Sequence, residues 1–274
     1  MKKRRKNVWV YIILGLLAMV CLFPFFWMLR SSFMSDREIF SVPIKWFPES
    51  IQIGNYGEAF SEAPFVRYFL NSVFVVVLNL IGAVFSSSFA AFGFTRFRFK
   101  GRNFFFGLLL STMMIPYTVL MIPQFIGWNA VGAVDTYFPL ILPAFFGSAF
   151  NIFLVKQFYM GIPKAYDEAA LIDGANYLQI YLKIILPMSK PALCTVGVFT
   201  FMNSWNDFMG PLLYINEPLK KTISLGLQMF IGQFTQQWNL LMAASTVAMV
   251  PMIVVFFFAQ RYFIEGITFA GIKG

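Results

Sequence analysis

Apolar residues run through this chain in long blocks rather than in the short alternations of a water-soluble fold. A helix that crosses a membrane needs ~20 mostly apolar residues, and six stretches qualify: 8–29, 66–94, 104–126, 138–158, 191–214 and 242–263. The second is longer than one crossing requires, so it extends beyond the bilayer or tilts. Pro116, Pro123, Pro143 and Pro251 fall inside these stretches, which membrane helices tolerate when neighbours satisfy the freed carbonyls. No linker, low-complexity tract or internal repeat divides the chain. The pattern predicts an all-α polytopic membrane protein with six transmembrane helices, forming a single transmembrane domain over residues 1–274.

Composition narrows the chemistry. Of 274 residues, 59% are apolar and 12% charged, far from the balance of a soluble domain. No histidine occurs, which removes histidine bases and histidine metal ligands and with them most hydrolase and zinc readings. Cys21 and Cys194 both lie inside apolar runs and read as small buried residues rather than as a disulfide or a metal site. The stretch from Val8 to Leu29 follows the basic run Lys2–Lys6, yet it is too long for a signal peptide and no small-residue cleavage site follows it.

The net charge of +9 is concentrated beside apolar runs, at Lys2–Lys6 and Arg96–Arg102, so it marks cytoplasmic helix ends rather than a nucleic-acid surface. Loops on the side of the N-terminus carry Arg96, Arg98, Lys100, Arg102, Lys156, Lys164, Lys183 and Lys190. Residues 30–65, opposite, carry five acids against Arg30, Arg37 and Lys45. Lys220 and Lys221 run against this bias, but the balance places both termini in the cytoplasm.

The longest cytoplasmic loop, 159–190, contains EAALIDGANYLQIYLKIILP at positions 168–187. Pro163 suits the first turn of a helix, residues 164–173 favour helix, and Gly174 is a stop. Asn176 can cap a second helix running to Ile185, before Pro187 breaks it. Ala165, Ala169 and Ile172 share one face of the first helix, with Asp167, Glu168 and Asp173 elsewhere around it. Small residues allow close backbone approach, so this helix suits insertion into a shallow cleft on a partner, and Glu168 would pair with a cation there. A surface hairpin that merely links two spans accounts for the same pattern.

Glu168, Ala169 and Ala170, then Asp173 and Gly174, then Ile184, Leu186 and Pro187 resemble the EAA motif of ABC importer permeases in residue type and spacing. The flanking IPKAYDEAALIDGA and LPMSKPAL, the segment NSWNDFMGPLLY and the ending GITFAGIKG are similar to the carbohydrate-uptake, MalG-like branch of the binding-protein-dependent permeases. The resemblance covers nearly the whole chain and is weakest over 1–65. It implies the type I ABC importer permease fold, in a bacterial or archaeal inner membrane, with the motif as a coupling helix that fits a cleft on an ATP-binding subunit. It also implies the partners: a second homologous permease in a heterodimer, two ATP-binding subunits, an extracytoplasmic sugar-binding protein, a carbohydrate substrate of oligosaccharide length, and membrane lipid. ATP and Mg would be bound by the partner ATPase subunits, with no cofactor in this chain. Gly266–Gly271 is the closest thing to a phosphate loop, but Ile272 intervenes before Lys273, no serine or threonine follows, and no strand precedes it.

Polar groups inside spans are costly unless they pack against other helices or line a path. Ser72, Asn79 and Ser86 recur every seven residues, with Gly82 on the same face, and both readings hold for them. Asn203, Ser204, Trp205, Asn206 and Asp207 form a denser cluster in the fifth span. Amides there can bond sugar hydroxyls and an aromatic ring can stack on a sugar face; an interfacial belt is the alternative. Residues 215–241, rich in Gln228, Gln233, Gln236, Gln237 and Asn239, and residues 35–63 are candidate outer docking elements. A permease for a non-sugar substrate, an ion-coupled transporter and a membrane enzyme are the rival readings. The transporter would need buried ionisable groups for coupling, and Asp207 is the only clear acidic candidate within a span; the enzyme lacks histidine and paired intramembrane carboxylates.

Overall fold

The computed structural model describes residues 8–231 and 237–271, with side chains described as far as Gln260. The basic run at Lys2–Lys6, Gln233 and Gln236, and the end of the GITFAGIKG segment therefore lie outside the described residues. Twelve helices of six or more residues carry the described chain: α1 (Val8–Ser32), α2 (Gly54–Glu62), α3 (Phe65–Arg96), α4 (Arg102–Ser111), α5 (Tyr117–Ala130), α6 (Phe138–Phe145), α7 (Ala149–Met160), α8 (Ala165–Ile172), α9 (Tyr177–Met188), α10 (Lys190–Trp205), α11 (Met209–Tyr214) and α12 (Trp238–Gly271).

Four spans are long and apolar enough to cross a membrane: α1, α3, the α6–α7 pair and the stretch Trp238–Gln260 of α12. They fall on four of the six predicted stretches. The other two are bent. The segment predicted as one span over 104–126 turns by 99° between Met114 and Tyr117. Pro116 explains the turn, because a residue before proline is driven out of the helical region; Ile115 is extended at ψ 115° and Pro116 at ψ 137°. The predicted span 191–214 is divided into α10 and α11, parted at Asn206–Phe208, and α10 reaches span length only together with α9, from which it bends by 76°. Pro123, Pro143 and Pro251 do sit inside helices.

The contacts group the chain into two units, residues 1–66 with 226–250, and residues 67–225 with 251–274. In the first, α1 is exposed from Val8 to Phe26 and becomes buried only at Arg30, Ser31 and Ser32. The helix is apolar on every side, as a helix with lipid around it is. Cys21, on this surface, is exposed, and Cys194, in α10, is half-buried; the expectation that both are buried fails, for Cys21 because no described residue of this unit covers this part of α1. The 35–63 segment is tied down by Asn55, whose amide donates to the Ser32 and Met34 carbonyls at 2.9 Å each. Glu38 accepts from the Ser35 backbone N–H, the Ser35 hydroxyl and the Glu49 N–H. The Ser35 N–H leads in holding its carboxyl below the usual carboxylate range, against burial. Asn239 at the start of α12 donates to Asn55 Oδ1 at 3.0 Å, and Gln237 donates to Glu62 at 3.2 Å. The two polar segments singled out in the sequence thus meet in one element.

In the second unit, the face of α3 that carries Ser72, Asn79, Gly82 and Ser86 is a packing face. Ser72 Oγ accepts the Ile223 N–H at 2.8 Å, Asn79 donates to Ser204 Oγ at 2.8 Å, and Ser86 donates to the Ala144 carbonyl at 2.9 Å. Any Cβ at Gly82 would lie 2.7 Å from the Phe145 ring. Gly82→Val is therefore expected to cost about 1–3 kcal/mol through overpacking, read as a lower melting temperature of the solubilised protein. Gly93, with nothing within 4 Å of its Cβ position, is the control and should accept alanine freely.

Asp135, at φ 62°, clamps the segment after α11. Its carboxylate accepts the Glu217 N–H at 2.9 Å and the Asn216 N–H at 3.0 Å, and Lys220 lies 3.4 Å away. The Glu217 N–H, followed by the Asn216 N–H and Lys220, holds the carboxyl below its ordinary value. A carboxyl lowered on folding contributes stability that is complete above its unfolded pKa of about 3.9 and is lost as pH falls through the lower folded value. Thermal melts from about pH 5 to about pH 3 should accordingly fall more steeply for the wild type than for Asp135→Asn.

Candidate functional site

The charged loop folds into two helices at an angle set by local chemistry. In α8 the helix ends on Gly174 at φ 81°, with the Gly174 N–H on the Leu171 carbonyl (3.1 Å) and the Ala175 N–H on the Ala170 carbonyl (2.9 Å). That pair of bonds is the Schellman arrangement, which needs a left-handed residue here and so favours glycine. Asn176 then caps α9: its side chain accepts the Gln179 N–H at 2.9 Å while Gln179 Oε1 accepts the Asn176 N–H at 2.8 Å. Both assignments agree with the expectation from sequence. Pro187 does not end the helix at Ile185 as expected. Residues Tyr181–Ile185 widen into a π-turn and the helix continues to Met188; the wider turn moves aside the carbonyl that a proline ring would otherwise strike. The break comes at Ser189, fully buried, whose hydroxyl donates to the Ile185 carbonyl at 2.7 Å, and there the chain bends by 76° into α10.

The two faces of α8 differ. Asp167 and Ala170 are buried. Ala165, Tyr166, Glu168, Ala169 and Ile172 are exposed, Ile172 at 86% of its surface. The Glu168 side chain has no hydrogen bond or ion pair among the described residues, and Asp173 is exposed at the C-terminal end of α8. Ile184 and Leu186 are half-buried against the core around Tyr159, Ile180, Tyr181 and Ile185, whereas Pro187 is exposed. The structure thus gathers the motif residues on one double-helical element: Ala170, Ile184 and Leu186 face inward, and Glu168, Ala169, Asp173, Gly174 and Pro187 outward.

One functional group escaped the sequence reading. Arg96 ends α3, 3% exposed at its side chain, with Nε 2.7 Å from Asp167 Oδ2 and an Nη2 bond to the Ile162 carbonyl at 3.2 Å. Burial raises the Asp167 carboxyl above the usual range, and the Arg96 guanidinium offsets this only in part. A carboxyl raised on folding favours the folded state most when protonated, and that contribution is lost as pH rises through its folded pKa. The available signal was Asp167 standing three residues before Ala170, on the face opposite Ala165, Ala169 and Ile172.

The second cluster is split by burial. Asn203 and Asn206 are exposed, Asn206 donating to the Met202 carbonyl at 2.8 Å. Ser204 bonds Asn79, and Asp207 accepts the Gly210 N–H at 3.0 Å. Trp205 is 4% exposed, stacked on Phe201 at 5.7 Å and edge-on to Phe69 at 5.5 Å. These residues close α10 and the turn into α11 rather than lying within one continuous helix.

The described residues are almost wholly helical, with several helices long and apolar enough to cross a membrane and a capped, exposed helix pair before α10. The chain belongs to the family described as binding-protein-dependent transport system inner membrane component, which matches residues 82–268. Relatives match over nearly its whole length. The probable ABC transporter permease protein YurM of Bacillus subtilis is 36% identical over 100% of this chain and 92% of its own. The arabinooligosaccharides transport system permease protein AraQ of Halalkalibacterium halodurans is 33% identical over 94% of this chain and 93% of its own. Among solved structures, a chain from the crystal structure of a bacterial ABC transporter involved in the import of the acidic polysaccharide alginate superposes with a TM-score of 0.83, at 24% identity, over 96% of this chain and 99% of that one. The fold is thus that of an ABC importer permease, and the chain is a multi-pass inner-membrane transport component, not an enzyme.

Proposed function

We propose that this chain is one of two different permease subunits of an ATP-driven carbohydrate importer, with oligosaccharides as the substrate class. Its partners would be two ATP-binding subunits and an extracytoplasmic sugar-binding protein, and both of its termini would lie in the cytoplasm across six spans, counting each bent pair as one. The observation that carries the reading is α8: an apolar strip of Ala165, Ala169 and Ile172 held out from the bundle, beside the unpaired Glu168. Such a strip on an otherwise charged loop is a partner surface.

In this reading α8 sits in a cleft on an ATP-binding subunit. Closure of the ATPase pair moves α8 and α9 as one body, and the spans pass from an inward-open to an outward-open arrangement. The chain does no covalent chemistry. It supplies two bundle arrangements whose populations the ATPase shifts. Asn203 and Asn206 present amides able to bond sugar hydroxyls, with Ser204 and Asn79 tying their helix to α3, Trp205 wedged behind them and Asp207 shaping the following turn. The names of relatives that carry arabinooligosaccharides, polygalacturonan or starch degradation products favour an oligosaccharide over a peptide, phosphate or metal.

The test is reconstitution of the purified complex in vesicles with its binding protein. Uptake of arabino-oligosaccharide should require ATP and persist when proton and sodium gradients are collapsed. Uptake that follows an ion gradient and ignores ATP would contradict the proposal.

A further inference from the structure

We propose that the Arg96–Asp167 ion pair is the joint through which movement of α8 reaches the second span, α3. This rests on the coupling reading of α8 given above and adds to it the point where force enters the bundle.

The case is one of attachment. α8 is eight residues long, and its buried face offers the bundle only Asp167 and Ala170. Ala170 contributes a single methyl group. The remaining connection is Arg96, whose guanidinium grips Asp167 and, through Nη2, the carbonyl of Ile162 just before the helix. One side chain at the end of α3 therefore holds both the entry to α8 and its first turn. A planar guanidinium with several donors in fixed directions suits such a joint better than a flexible ammonium would.

The neighbouring helix is attached differently. α9 meets α3 through the Tyr181 hydroxyl at 2.7 Å from Ser88 Oγ, the Tyr181 ring 5.2 Å from Phe92, and Tyr177 5.0 Å from Phe97. Those contacts are neutral, aromatic and spread over several turns, so they keep α9 on α3 whether or not α8 is held. The ion pair is also a poor choice for stability alone. Both side chains are largely desolvated, and neither Arg96 Nε nor Asp167 Oδ1 makes a hydrogen bond, so the 2.7 Å contact is held by charge. An apolar pair of the same volume would cost less. What the charges supply is a fixed geometry between one helix end and one loop helix.

The charged groups that act on Asp167 besides Arg96 are Glu168 and Lys164, both on the α8 side. Exchanging the two partners keeps the net charge of this neighbourhood unchanged. That makes the exchange a clean rescue.

The experiment compares Arg96→Gln, Asp167→Asn and the double exchange Arg96→Asp with Asp167→Arg. Each is made in the full complex, with a dye-labelled cysteine at Leu70 near the far end of α3 and the native cysteines replaced by serine. Three quantities are read: ATPase subunit retained per permease, ATP hydrolysis, and the change in dye fluorescence on adding ATP. The single variants should keep the ATPase subunit and hydrolyse ATP while the dye response shrinks about tenfold, the scale on which one contact modulates coupling. The double exchange should restore most of the response. Single variants with a full dye response would overturn the joint and leave ATPase docking standing. Single variants that lose the ATPase subunit, or a double exchange that accumulates normally yet stays unresponsive, would also overturn it, because the pair would then serve folding alone. A wild-type complex without any ATPase subunit would instead defeat the coupling reading, and this inference with it.

Discussion

Ile172→Asp is expected to abolish ATP-driven uptake while the permease accumulates in the membrane at its normal level. Ile172 is 86% exposed, so the change removes almost no packing within the chain, and surface substitutions of this kind leave stability within about 0.5 kcal/mol. In the assembled importer the same side chain would be covered by a partner. An unpaired carboxylate buried there costs about 3 kcal/mol or more, which corresponds to at least about a hundredfold loss of association. Ile172→Ala keeps the surface apolar and should cost far less. The paired measurements are uptake in vesicles and permease abundance, and a normal uptake rate for Ile172→Asp would mean that this face meets nothing.

The second large effect belongs to Trp205, and it runs the other way, through folding. Its ring lies between Phe201 and Phe69 at the end of α10, 4% exposed, and Ser224 donates to its backbone carbonyl at 2.8 Å. Trp205→Ala would leave a cavity between α10 and α3 that neither helix can close, at a cost of about 3 kcal/mol. The melting temperature of the solubilised protein should drop accordingly. Asn203→Ala and Asn206→Ala, at exposed positions, should leave that temperature unchanged and reduce uptake. If Trp205→Ala melts normally and only transport falls, the ring acts in the pathway rather than behind it.

The length of an apolar run is a direct physical requirement for crossing a bilayer, which is why α1, α3, α6–α7 and α12 were legible from sequence as spans. The bends were not. Pro116 and Pro123 look alike on paper, yet Pro116 ends up capping a new helix and Pro123 sits within one. Within the loop, Gly174 and Asn176 were legible because their roles depend on backbone geometry a few residues away. Pro187 was misread because a π-turn can accommodate it. The Ser72–Ser86 face was readable as either packing or pathway, and only its partners, Ile223, Ser204, Phe145 and Ala144, favour packing. Arg96 and Asp167 are remote in the chain, and each taken alone reads as an ordinary loop charge.

The central claim is that α8 holds an ATP-binding subunit. Its most direct test is to purify the complex through the permease and measure ATPase subunit retained per permease for the wild type, Glu168→Lys and Gly174→Asp. Glu168 is exposed and unpartnered, and Gly174 has open space around its Cβ position. Aspartate also tolerates the left-handed backbone there better than most residues do. Glu168→Lys should therefore leave a folded permease, whereas Gly174→Asp is strained at φ 81°, so its melting temperature and abundance are measured beside its ATPase complement. The account predicts a folded permease stripped of its ATPase subunit in each case. A full ATPase complement with normal uptake in both would contradict it, and the loop would then be no more than a connection between two spans.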